Sequence, residues 1–166
     1  TQVWGRFDEE MRSYRGYPSS IISEDMVRPA GADFAGGYLM QSLGVMPLTF
    51  ATTLTRGGGL WCPDLLRALD DYPFMAGVGI NAECLPAEGN RLELADEVDE
   101  VGMRKATLSF TAGDNEKAID EHAVATMTAI VEAAGARSTT VLARTAHTVG
   151  TCRMGTDPEL SVVDPV

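Results

Sequence analysis

At 166 residues the chain is long enough for one buried core and short for several. Its 45% hydrophobic content marks a globular chain and not a disordered one. Its 13 basic against 24 acidic residues leave a net charge of −11, which argues against binding nucleic acid or an anionic membrane surface. Cys62, Cys84 and Cys152 are odd in number and lack close metal-type spacing, so neither a zinc site nor a disulfide framework is indicated. That usage leans toward a reducing compartment, the cytoplasm.

Thr1 opens the chain without a methionine, and no basic-then-apolar leader follows. Val3, Phe7, Met11 and Tyr14 recur at helical spacing, which predicts an amphipathic helix stopped by Gly16 and Pro18, with Trp4 and Phe7 in the core. A chain that begins inside a helix is expected to be a piece of a longer one. Ser19 to Ser23 predicts a short strand, Glu24 to Phe34 a loop, and Tyr38 to Leu43 a second strand after Gly36-Gly37. The apolar stretch from Val45 to Thr53 is broken by Pro47 and preceded by Gln41, Ser42 and Gly44, which rules it out as a membrane span. Arg56-Gly57-Gly58-Gly59 is a turn and not a phosphate loop, since no Lys-Ser/Thr follows in register. Pro63 suits the first turn of a short helix carrying Leu65, Leu66 and Leu69, closed by Tyr72-Pro73.

Val78, Ile80, Ala82 and Cys84 alternate with Gly77, Gly79, Asn81 and Glu83, giving a strand with one apolar and one small or polar face. Arg91 to Leu94 and Ala106 to Phe110 alternate again, around an acidic loop at Asp96 to Gly102. Three strands with short links predict an antiparallel meander. Gly113 to Glu116 starts the strongest helix, whose predicted stripe is Ile119, Ala123, Met127, Ile130 and Ala134, with Gly135 closing it. His122 falls on its flank beside Ile119 and is expected at the surface. Ser138 to Leu142 is β-branched and predicts a strand that leads to His147. Antiparallel strands backed by helices make this an α+β chain, with no internal repeat and no boundary evident inside residues 1–166.

The densest pattern follows: Ala146-His147-Thr148-Val149-Gly150-Thr151-Cys152-Arg153-Met154-Gly155-Thr156-Asp157-Pro158, then Ser161-Val162-Val163-Asp164. A histidine precedes a bend of small residues, and Gly150, Thr151 and Gly155 let the backbone approach a flat ligand. An imidazole titrates near pKa about 6.5, so it can take and return a proton near neutrality. The competing reading is a histidine that only ties its loop. Arg153 either faces the ligand or, as its planar fork favours, pairs with Asp157 or Asp164. Cys152 is expected to be a small buried filler, and Ser161 lacks a nucleophile-elbow context. Asn81 and Glu83 either meet a substrate, for which the neighbouring glycines leave room, or line an ordinary solvent face.

The order histidine, glycine-threonine, arginine-methionine-glycine, aspartate-proline, serine-valine-valine-aspartate closely resembles the C-terminal signature of the glucose–methanol–choline (GMC) flavin-dependent oxidoreductases. The run Glu83 to Pro86, Asn90 to Leu94 and then Asp114-Asn115 is similar to that family's substrate-binding portion. The resemblance implies an antiparallel sheet backed by helices over one face of a flavin adenine dinucleotide (FAD). It implies His147 as the base that takes the alcohol proton; the small-residue bend then puts Gly150 and Thr151 at the cofactor, and the polar strand face puts Asn81 and Glu83 at the substrate. The function implied is that of an FAD-dependent alcohol or sugar dehydrogenase of choline, sorbose or gluconate type. The implied partners are a small alcohol or sugar and the FAD-binding domain of a parent chain. No Gly-x-Gly-x-x-Gly turn follows a strand here, and Val166 precedes the place of the family's second active-site histidine or asparagine. Residues 1–166 are therefore expected to be the substrate-binding, C-terminal portion without the FAD-binding Rossmann part. The rival expectation is a non-catalytic binding or interaction module with no cofactor.

Overall fold

A computed structural model describes residues 1–144, 152 and 154–164. The strands are β1 (Gln2–Arg6), β2 (Ile22–Ser23), β3 (Tyr38–Leu43), β4 (Met75–Ala82), β5 (Arg91–Val98), β6 (Arg104–Ser109) and β7 (Ser138–Leu142). The helices are α1 (Pro47–Arg56), α2 (Cys62–Asp71) and α3 (Asp114–Ala133). The chain forms two compact units where the sequence shows no boundary. One is Thr1–Glu83 with Ala118–Ala146; the other is Cys84–Lys117 with His147–Val166.

The first unit is built on a five-stranded antiparallel sheet in the order β2-β3-β4-β1-β7. Side chains alternate between its faces. Val3, Tyr38 and Met40 point to one side, where Ile119, Ala123, Met127 and Val131 of α3 cover them. Trp4, Leu43, Met75 and Leu142 point to the other and meet Phe50 and Leu54 of α1, with Tyr72 after α2. The sheet thus carries helices on both faces, and the class is α+β. Burying each large side chain of these two clusters stabilises the fold by roughly 1.5–3 kcal/mol.

Several sequence expectations appear in place. β3 and β7 run over the residues foreseen, α2 takes Pro63 in its first turn, and α3 starts at Asp114. Its end is a left-handed cap: Gly135 has φ 97°, its N–H donates to Glu132, and the N–H of Ala136 donates to Val131. The buried stripe, however, is completed by Val131, while Ile130 is 42% exposed and Ala134 is also exposed. At about 100° per residue, Val131 stacks over Met127 on the sheet side.

The N-terminal helix expected from Val3, Phe7, Met11 and Tyr14 is not formed. Residues 2–6 are a central strand, pairing with β4 on one edge and β7 on the other. Both of its faces are buried, so Val3 and Trp4 lie in different cores and no period of two is visible. The first strand of the expected Ser19 to Ser23 run shortens to β2.

In the second unit β5 and β6 form a separate two-stranded antiparallel hairpin. β4 belongs to the five-stranded sheet, so the three-strand meander is not formed. The acidic loop begins later than expected: Asp96 and Glu97 lie in β5, where they face Arg104 and Lys105 across the hairpin. The turn itself is closed by Asp99, whose carboxylate accepts the N–H of Val101 at 3.0 Å and of Met103 at 2.9 Å. No described helix is long and apolar enough to cross a membrane.

Candidate functional site

On β4 the residues Gly77, Gly79 and Asn81, followed by Glu83, share the sheet face of Trp4. The glycines do not leave room for a ligand, which corrects the sequence expectation. A Cβ on Gly77 would lie 2.7 Å from Cδ2 of Trp4, and one on Gly79 would lie 3.1 Å from Cδ2 of Leu43. That stretch is covered by the fold's own side chains. Only the strand's far end opens, and there Asn81 and Glu83 are both exposed. Asn81 is held opposite Leu39 in the ladder with β3. The N–H of Glu83 donates to the carbonyl of Gly37 at 2.9 Å. Its carboxylate rests on Gly36, where a Cβ would come within 2.0 Å of Oε2. The structure therefore brings these two polar residues together at one rim. An amide that donates and accepts, beside a carboxylate that accepts, suits a ligand bearing hydroxyl groups.

The second half of the histidine-containing pattern closes on itself. Met154 and Val163 form a parallel bridge, and the N–H of Gly155 donates to Val163 at 3.0 Å. Between them Asp157 makes a side-chain turn, its Oδ1 accepting the N–H of Glu159 at 2.9 Å. The Ser161 hydroxyl donates to the carbonyl of Gly155 at 3.1 Å and also contacts that of Asp157. Aspartate-proline and the serine of the pattern thus have structural work that its spacing implies. His147, Gly150, Thr151 and Arg153 lie outside the described residues. Cys152 is exposed and not a buried filler. It sits in a turn, and turns run over the surface.

His122 is exposed on the flank of α3, and its Nδ1 lies 2.8 Å from the hydroxyl of the buried Tyr38. It satisfies a phenol that enters the core. Two further residues hold the second unit together in ways the sequence only hints at. Glu116, at the third position of α3, accepts the N–H of Gly113 and that of Leu85, each at 2.8 Å. The first bond is one arm of a capping box. The Leu85 N–H, opposed only by some burial, holds the Glu116 carboxyl below the usual carboxylate range. Asn90 accepts the N–H of Thr111 at 2.7 Å and donates to its carbonyl at 3.1 Å, which extends the hairpin by a side-chain pair. Among the described residues no group of three His, Cys, Asp or Glu is placed to hold a metal ion.

The described residues thus form an antiparallel α+β chain with a polar rim on one strand of the first unit and, in the second, a loop that closes on itself after the His-Gly-Thr-Arg-Met-Gly order of the sequence. The comparison with known families makes this specific. Residues 86–166 match the family model described as GMC oxidoreductase, so this part of the chain carries that family's C-terminal domain. No curated protein matches the chain.

Proposed function

We propose that this protein is the substrate-binding, C-terminal portion of an FAD-dependent dehydrogenase that oxidises a CH–OH group, with His147 as the base. The observation that carries the reading is the span of the family match. It runs over residues 86–166 and so takes in the entire pattern from His147 to Asp164. His147 removes the hydroxyl proton, which leaves an alkoxide from which hydride departs more readily. FAD, when bound, supplies the hydride acceptor. Gly150 and Thr151, with little or no side-chain bulk, form the stretch that approaches the flavin. Asn81 and Glu83 bind the substrate's hydroxyl groups at the open rim of β4.

Among the described residues the strands pair antiparallel, and none leads through a glycine-rich turn into a helix. The phosphates of FAD need backbone N–H groups at such a turn, so in this reading an FAD-binding domain of the parent chain holds them. The test is anaerobic addition of a panel of alcohols and sugars to the complete FAD-loaded enzyme that includes this portion. Bleaching of the visible flavin band by one of them is expected. Flavin that stays oxidised with every alcohol, yet is reduced by dithionite, would end this reading.

A further inference from the structure

In the first unit, one side of α1 from Leu48 to Arg56 and the residues just past β7 border an open cleft of about 570 Å³. Arg56 reaches it from α1 and Arg144 from just past β7, with Thr49, Thr52 and Thr53 between them and, among the described residues, no carboxylate in the lining. The absence of an acid there is unusual for this chain. Eight of its 13 basic side chains form ion pairs among the described residues. Four described arginines form none, namely Arg15, Arg28, Arg56 and Arg144, and two of these share this one cleft. Arg56 also complements the negative end of α1, where it occupies the last turn. That accounts for Arg56 but not for Arg144, which sits on another element.

The hydroxyls of Thr52 and Thr53 donate back to the carbonyls of Leu48 and Thr49 at 2.9 Å. No described residue accepts from the Thr49 hydroxyl, so it and the two guanidiniums are side-chain donors available among the described residues that line the cleft. Guanidinium forks match the paired oxygens of carboxylates and phosphates. We propose that this cleft binds the oxyanion of a small ligand, a carboxylate or a phosphate, through Arg56 and Arg144 with Thr49 as a third donor. The proposal stands independently of the flavin reading.

The test is titration of the ¹⁵N-labelled protein with inorganic phosphate, and separately with acetate, at constant ionic strength. Saturable shifts of the Gly57 and Ala143 amides are expected. Tighter binding of phosphate identifies a phosphorylated ligand, and tighter binding of acetate a carboxylic acid. Because both arginines are exposed, Arg56→Gln and Arg144→Gln should leave the fold intact while each weakens binding about tenfold. Shifts that fail to saturate for both anions, or a double variant that binds as the parent does, would overturn the proposal.

Discussion

The glycine at position 77 offers the sharpest test of how the sheet is packed. In Gly77→Ala the new Cβ would stand 2.7, 2.8 and 2.8 Å from Cδ2, Cε2 and Cε3 of Trp4. Carbon atoms rest at about 3.5–4.0 Å, so either the strand or the indole must move. The indole has little freedom. Trp4 is 1% exposed, packs edge-on against Phe50 at 4.9 Å, and donates from Nε1 to the buried Gln2 at 3.2 Å. Overpacking of this kind costs about 1–3 kcal/mol. For a chain of this size a cost of about 2 kcal/mol lowers Tm by about 4–8 °C. The assay is urea unfolding followed by tryptophan fluorescence in a Trp61→Phe background, since Trp61 is 68% exposed and would dilute the signal from Trp4. Gly89→Ala is the control, because a Cβ there meets nothing within 4 Å. If Gly77→Ala proves as stable as the control, the indole does not lie on this strand, and the glycine face is open to a ligand after all.

Two further outcomes follow from named contacts. Glu116→Ala should cost about 1 kcal/mol by freeing the N–H groups of Gly113 and Leu85, as measured by chemical denaturation. Because the folded Glu116 carboxyl binds its proton less readily than the unfolded one, its contribution is complete above the unfolded value of about 4.3 and fades as pH falls through the lower folded value. The difference between parent and variant should shrink in that acid window, and a difference that grew there would contradict the assignment. Among the cysteines, burial and then the charge of Glu116 push the Cys84 thiol up, whereas Cys62 and Cys152 are exposed. Timed alkylation read by mass spectrometry should label Cys84 last, and labelling of Cys84 first would refute this order.

What could be read in advance depended on whether a signal is local. The cap at Gly135, Pro63 in the first turn of α2 and the β-branched run of β7 each act within a few residues, and each is found where its chemistry places it. β1 failed because its identity comes from partners at Met75 to Gly79 and Ser138 to Leu142, which local spacing does not reveal. Its two buried faces then let Val3 and Phe7 imitate a helical stripe. Asp96 and Glu97 seemed to be loop residues for the same reason, since the Arg104 and Lys105 that oppose them are visible only once the hairpin forms. The rim residues Asn81 and Glu83 were legible as a polar continuation of β4. The covering of Gly77 and Gly79 was not, because alternation shows which face a residue takes and not what lies above it. Glu116 carried a signal in its third helical position, but its bond to Leu85 joins segments far apart in sequence.

The central claim is that His147 takes the substrate's proton, and stopped-flow reduction of the complete FAD-loaded enzyme by its alcohol tests it most directly. With His147→Ala, flavin should remain bound while its reduction slows by about 10²–10⁴-fold. The remaining rate should rise toward alkaline pH, where the alcohol ionises without help. Reduction at the parent rate, with the parent's pH profile, would remove His147 from the chemistry.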